Sequence, residues 1–360
     1  MTKRLMVGAV PVGGGAPVSV QSMCNTKTDD PVSTLAQIRA LAEAGAEIVR
    51  LAVPHPRAAA ALRQIADASP VPLVADIHFD YRLALTAAES GMAAIRINPG
   101  NIGGRENVGR VAAACRANGL PIRIGINGGS LEKPLLEKYG GVTPEAMVES
   151  ALGHVRLLND FGFDDICLSL KCSDVAGTVA ANRLAAERAD YPLHIGVTET
   201  GGGEQAVVKS AAGIGALLLA GIGDTLRVSL TGDPVREPEV GLEILRAVGL
   251  RRDGPDIVAC PTCGRTEIDL PALYEEVKAR LKEVHRPLKV AVMGCVVNGP
   301  GEAAGADYGV AGGRDYGILF RKGERVGKYP YRELADRLLA LIREDENGNA
   351  AKRREKDEIH

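Results

Sequence analysis

The chain has 360 residues, 46% of them apolar, with 43 Lys and Arg against 45 Asp and Glu and a formal net charge of −2. That length exceeds one ordinary domain and fits two, each with enough apolar material for a core of its own. Balanced charge gives no bulk attraction to nucleic acid, and with no Trp and 3% aromatic residues there are few platforms for unpaired bases, so a nucleic-acid partner is set aside.

No run reaches the ~18 apolar residues of a membrane span, and the apolar part of MTKRLMVGAVPVGGG is too short for a secretion signal, so the expectation is a cytoplasmic protein with no membrane partner. Seven cysteines suit reduced thiols and metal chemistry better than a disulfide framework. Cys115 and Cys167 read as small core hydrophobes, and Cys24 and Cys172 carry only a weak indication of anything more.

Near the N-terminus, VPVGGGAP has the glycines of a dinucleotide loop without the strand before it or the helix after it, and is expected to be a turn. Eight apolar runs follow: VSVQSM from Val18, EIVRLAV from Glu47, VPLVADI from Val71, AAIRIN from Ala93, PIRIGIN from Pro121, DDICLSL from Asp164, PLHIGVTE from Pro192 and TLRVSL from Thr225. Between them lie stretches with helical spacing, such as STLAQIRALAEAGA from Ser33 and TPEAMVESALGHVRLLNDFG from Thr143. Eight βα units in about 250 residues predict an α/β fold built on a (βα)8 TIM barrel; a doubly wound sheet would more often show fewer strands and a Gly-rich phosphate loop.

The Gly-Pro punctuation after PEVGLEILRAVGLRRDGPD places a boundary near residue 250. The expected organisation is a substrate-binding barrel over 1–250 and a smaller α+β cysteine domain over 251–345. That domain has strands at LKVAVMG from Leu288 and YGILF from Tyr316, and helices from Asp269 and Tyr331. The charged tail, 346–360, has no apolar face and is expected to fray.

In a βα barrel the active site lies at the C-terminal ends of the strands. Here the residues that interrupt or end the apolar runs are cationic: Arg50, Arg96 followed by Asn98, Arg123 followed by Asn127, Lys171, and Arg227 followed by Ser229. A charge inside a barrel strand needs a buried acid or an anionic ligand. Asp76 and Glu199 are the acids in view, so five cations face two carboxylates and the surplus suits a diphosphate, whose oxygens accept bidentate guanidinium contacts. One such Arg could snorkel outward; five at equivalent positions argue against that for the set. Glu199 or Asp76 could pass protons to a leaving oxygen, Asp76 being better suited to holding an Arg in place. His78 in ADIHFD could be a ligand, a proton donor or a satisfied polar residue.

Near the C-terminus, CPTCG supplies Cys260 and Cys263, and GCVVNGPGE supplies Cys295 and Glu302, set among glycines that let backbone N–H groups turn toward sulfur. Spacing leaves two candidates open: a zinc site on the three cysteines with His285 as fourth ligand, or an iron-sulfur cluster on the three cysteines with one iron left for Glu302 or substrate.

Taken in order, VQSM at Val20, VRLAVP at Val49, ADIHF at Ala75, RINPGN at Arg96, RIGIN at Arg123, SLK at Ser169, GVTE at Gly196, RVSL at Arg227, CPTCGR at Cys260 and GCVVNGPGE at Gly294 resemble the bacterial 4-hydroxy-3-methylbut-2-enyl diphosphate synthases nearly end to end, in their two-domain form. The resemblance implies one 4Fe-4S cluster held by Cys260, Cys263, Cys295 and the carboxylate of Glu302. It implies a small-molecule diphosphate substrate, 2-C-methyl-D-erythritol 2,4-cyclodiphosphate, opened reductively with loss of water. Arg50, Arg96, Arg123, Lys171, Arg227 and Ser229 would hold the diphosphate, with neutral hydrogen bonds from Asn98 and Asn127. Glu199 would donate the proton to the departing hydroxyl, with Asp76 and His78 also in the site. Also implied are flavodoxin or ferredoxin as electron donor and a head-to-tail homodimer in which one subunit's cluster caps the other's barrel. Two rivals are a dihydropteroate-type barrel synthase, which has no use for the cysteine domain, and a metal scaffold that binds an anionic metabolite without chemistry.

Overall fold

Along the apolar runs of the N-terminal half, aliphatic residues alternate with small, polar or cationic ones, the period of a strand with two different faces. The computed structural model describes residues 1–284, 286–295 and 305–357, with side chains as far as Glu346. Two compact units divide after Leu250. The first holds β1 (Leu5–Val7), β2 (Val10–Val12), β3 (Ser19–Met23), β4 (Ile48–Ala52), β5 (Leu73–Asp76), β6 (Ala94–Ile97), β7 (Ile122–Asn127), β8 (Ile166–Lys171), β9 (His194–Ile195) and β10 (Thr225–Leu226).

Strands β3 to β10 form one parallel sheet in the order β8-β7-β6-β5-β4-β3-β10-β9, and a parallel bridge from Leu168 to Leu193 joins β8 to β9 and closes the ring. Helices follow the strands, several opened by a side-chain cap: Asp30 accepts from the Ser33 N–H, Asp80 from Arg82, Thr143 from Ala146 and Asp174 from Gly177. One face of each strand packs outward on these helices. Val49, Leu51, Ile95, Ile97, Ile122, Ile124, Leu168 and Leu170 join Ile38, Leu41, Leu62, Val108 and Val111 in the main core. The alternate residues, Arg50, Arg96, Arg123, Gly125, Cys167, Ser169 and Lys171, are thereby turned to the inside of the ring.

The N-terminal segment differs from the sequence expectation. Val10–Val12 is a strand, paired antiparallel with Leu5–Val7, and only Gly13–Gly15 form the turn, with φ of +80°, +62° and +78°. Val7 and Val12 pack on Ile48, Val74 and Ala94, so the hairpin plugs the N-terminal end of the barrel. Three-residue strands are too short to show a period, which is why the sequence displayed only glycines.

The second unit is a mixed sheet of β11 (Pro255–Ala259), β12 (Leu288–Met293), β13 (Tyr308–Gly312), β14 (Tyr316–Arg321) and β15 (Glu324–Pro330). The first three are parallel, and the last two add as antiparallel hairpins. The helices Leu270–Leu281 and Leu334–Asp357 bury Leu273, Val277, Leu338 and Ile342 against Val290, Val292, Val310 and Leu319. The last helix runs to Asp357, well past the frayed start expected at 346. Ala350, Ala351, Lys352, Arg353, Arg354, Glu355 and Lys356 are strong helix formers, and extending a helix costs far less than nucleating one. No described helix is long and apolar enough to cross a membrane.

Candidate active site

Register places the cations beside one another. Arg96 on β6 stands level with Asp76 on β5 and Arg123 on β7, and Lys171 ends β8 level with Asn127. Asp76 is buried and gathers three partners: Arg96 Nη1 donates to Oδ1 at 3.1 Å, Arg50 Nε lies 3.6 Å from Oδ2, and His78 Nε2 lies 3.4 Å from Oδ2. Burial alone would raise its pKa, but the Arg50 charge, the His78 contact and Arg96 outweigh that and hold the carboxyl well below the usual range. Asp76 is therefore an anion that organises cations.

Arg227, just past β10, pairs with an acid that the sequence reading did not name, Glu237: Nη2 donates to Glu237 Oε1 at 3.0 Å and Nε to Oε2 at 3.2 Å. Glu237 is 2% exposed and also accepts from Ser22 Oγ at 3.0 Å and from the Leu230 N–H at 3.1 Å. One carboxylate thus ties β3, the Arg227 side chain and the loop carrying Ser229. The hint available in the sequence was an acid in the first turn of the last barrel helix, which reads equally well as ordinary helix-dipole compensation.

Arg123 Nη1 donates to Gln21 Oε1, and among the described residues neither Arg123 nor Lys171 pairs with a carboxylate. Burial, then Arg227, Arg50, Arg123 and Arg96, push Lys171 well below an ordinary lysine. Burial, with Arg227, Arg123 and Arg96, brings Arg50 down to about 9 against the pull of Asp76. Five cations still face two carboxylates, now Asp76 and Glu237, so the interior is short of negative charge.

Two glycines make the cation layer possible. A Cβ on Gly125 would lie 2.2 Å from Arg96 Nε, and one on Gly196 would lie 2.9 Å from Lys171 Nζ. Beneath the cations His194 is fully buried; burial first and Lys171 next drive its pKa down, so it is neutral. The sequence reading passed over it.

Asn98 is buried, its Nδ2 3.4 Å from Ser130 Oγ, whereas Asn127 is half-buried at the end of β7. Ser229 is half-buried, and its carbonyl accepts from Thr200 Oγ1. His78 is exposed beside Phe79 above Asp76. Glu199 is exposed with φ of +55°, a left-handed conformation that costs a non-glycine residue roughly 1–3 kcal/mol.

In the second unit β11 and β12 end at the same edge, so the Cys260–Cys263 loop and Gly294–Cys295 are neighbours. The Gly294 N–H donates to Cys260 Sγ at 3.2 Å, and the Glu267 N–H donates to the Gly294 carbonyl at 3.1 Å. A Cβ on Gly294 would lie 2.9 Å from Thr266 Cγ2, so only glycine permits this approach. Cys263 is exposed, and the Arg265 backbone N–H, then the Arg265 charge, lower its pKa. All seven cysteines are free thiols. Glu302 and His285 lie outside the described residues, and among the described residues no three potential ligands converge on a metal position. The donor chemistry nevertheless fits a soft metal or cluster: thiols on touching loops, a backbone N–H on one sulfur and a thiol biased toward thiolate.

Over 341 residues, 95% of this chain and 97% of its relative, the sequence is 61% identical to the 4-hydroxy-3-methylbut-2-en-1-yl diphosphate synthase (flavodoxin) of Geobacter sulfurreducens. It is 60% identical over 327 residues, 91% of each chain, to the protein of the same name from Maridesulfovibrio salexigens. Among solved structures, the dihydropteroate synthase of Yersinia pestis aligns with 69% of this chain and 98% of its own at a TM-score of 0.49 and 14% identity, a level that carries no functional argument. The GcpE TIM-barrel domain matches residues 2–242 and the GcpE protein C-terminal domain matches residues 256–344. The chain belongs to the GcpE family.

Proposed function

We propose that the protein is an oxidoreductase that converts 2-C-methyl-D-erythritol 2,4-cyclodiphosphate to 4-hydroxy-3-methylbut-2-enyl diphosphate, a step of isoprenoid biosynthesis. The observation that carries this reading is the layer of five inward-facing cations against two carboxylates, whose shortage of negative charge a cyclic diphosphate makes good. The reaction consumes two electrons and a proton, breaks the C–O bond to the ring phosphate and a C–OH bond, and forms a C=C bond and water.

Arg50, Arg96, Arg123, Lys171 and Arg227 hold the diphosphate oxygens, joined by Ser229, while Asn98 and Asn127 offer neutral hydrogen bonds. Asp76 keeps Arg50 and Arg96 oriented and His78 at hand above them. Glu199, exposed at the mouth and held in a strained backbone by a loop that Thr200 ties to the Ser229 carbonyl, donates the proton to the departing hydroxyl.

Cys260, Cys263, Cys295 and Glu302 are the residues that would hold a 4Fe-4S cluster, which supplies the two electrons singly when bound. Electrons come from flavodoxin or ferredoxin, and the active assembly is a head-to-tail homodimer in which each cluster serves the partner's barrel. Seven cysteines with no disulfide among them suit the reducing cytoplasm.

Turnover of the cyclodiphosphate by anaerobically purified protein with a reduced donor tests the reading. Glu199→Gln should leave substrate binding nearly intact and lower kcat by about 10²-fold, the scale of a lost general acid; lost binding with normal turnover would remove that role. Zinc in place of iron and sulfide would remove the cluster.

A further inference from the structure

Outside the mouth, one polar cluster has no part in the chemistry above. Ser150 and His154 lie four residues apart on the helix Pro144–Asn159, hence on one face, and both are buried. Ser150 Oγ donates to Glu132 Oε2 at 2.8 Å and lies 3.1 Å from Oε1, and His154 Nε2 lies 2.9 Å from Oε1. A serine and a histidine on a face otherwise packed with Met147, Ala151, Val155 and Leu158 cost desolvation that aliphatic residues would avoid.

The cluster sits between the loop that begins with Asn98 and the loop that follows Asn127. On one side, the His154 ring supports Gly100: a Cβ there would lie 3.4 Å from His154 Cε1 and 3.3 Å from Asn98 Oδ1. The Gly100 N–H in turn donates to Asn98 Oδ1 at 3.1 Å. On the other side, Glu132 follows Ser130 by two residues, and Ser130 Oγ donates to the Asn127 carbonyl at 3.1 Å while receiving Asn98 Nδ2 at 3.4 Å. Glu132 therefore anchors the loop after β7 to the helix, and His154 carries the loop after β6 on the same anchor.

We propose that Glu132, Ser150 and His154 are positioning residues that fix, from outside the mouth, the loop bearing Asn98 and the loop that follows Asn127 in the arrangement that receives the substrate. The inference rests on the function proposed above. The residues touch neither substrate nor reacting atoms, so they act on binding more than on the chemical step.

The test uses full-length, cluster-loaded protein and two readouts. Glu132→Ala should raise KM for the cyclodiphosphate about tenfold with kcat within about twofold. Without substrate, it should also speed hydrogen exchange of the 100–104 and 128–131 amides by a similar factor. Glu132→Gln, which keeps one oxygen at the position that Ser150 Oγ and His154 Nε2 both approach, should restore both. Ser150→Ala is the smaller perturbation that carries the same expectation if Glu132→Ala fails to fold. Unchanged exchange with unchanged KM, or a fall in kcat alone, would overturn the inference. If the wild-type protein binds no cyclodiphosphate, the proposed function fails, and the exchange readout alone decides whether the cluster holds the loops.

Discussion

Glu237→Gln is the most direct probe of how the cation layer is balanced. The amide keeps the shape and one acceptor oxygen, so the Leu230 N–H can remain satisfied, but it removes the charge that meets Arg227 Nε and Nη2 at 3.2 and 3.0 Å. The carboxylate side is 2% exposed and the Arg227 side chain 20% exposed, so water can take over little of the lost pairing. Five cations would then face Asp76 alone. Removing one partner of a buried pair costs about 3–5 kcal/mol; with the guanidinium partly open to the mouth, the lower end, about 3 kcal/mol, is expected. For a unit of this size that is a fall of about 6–12 °C in the barrel's thermal transition. Calorimetry or circular dichroism on wild type, Glu237→Gln, Arg227→Met and the double variant forms a cycle. The double variant should be more stable than Glu237→Gln alone, because the stranded charge is gone. Saturating substrate should stabilise Glu237→Gln more than wild type. A Glu237→Gln transition within about 0.5 kcal/mol of wild type, or additive single effects, would refute the argument that Glu237 neutralises Arg227.

Two further outcomes follow from the same layer. Gly125→Ala places a methyl 2.2 Å from Arg96 Nε and 2.5 Å from Nη2, so the guanidinium must leave Asp76; a rise in KM of about tenfold is expected, one lost charged contact. Gly129→Ala, whose Cβ meets nothing within 4 Å, should be silent, and equal effects of the two would discount the steric account. Lys171 loses its proton earlier in the native state than in the unfolded chain, which holds it up to the ordinary 10.5. The unfolded state therefore binds more protons across that window, and native stability rises with pH there and falls as pH drops through the lowered native value. A diphosphate paired with Lys171 raises that lowered value, so binding at a pH between the free and bound values should take up protons, seen as buffer-dependent binding enthalpies. Lys171→Met should abolish the uptake, and buffer-independent enthalpies in wild type would contradict it.

Much of this was legible locally. The run IVRLA already states that Val49 and Leu51 face one way and Arg50 the other, because a strand's faces alternate with period two wherever it sits. The same reading at IRIGIN and ICLSLK located Arg123 and Lys171, and the recurrence of eight such runs between helical stretches located the barrel. What the tertiary structure alone decided was who answers those charges. Arg227 pairs with Glu237 and through it with Ser22, which lies 215 residues from Glu237 in sequence, because closing the ring lays β10 beside β3. Likewise Gly125 marks no turn but the space for the Arg96 guanidinium on the neighbouring strand, and His154 becomes meaningful only where its ring meets Gly100. Periodicity is a property of each segment and is written in it; charge compensation and steric allowance depend on neighbours that chain closure supplies, so no single segment contains them.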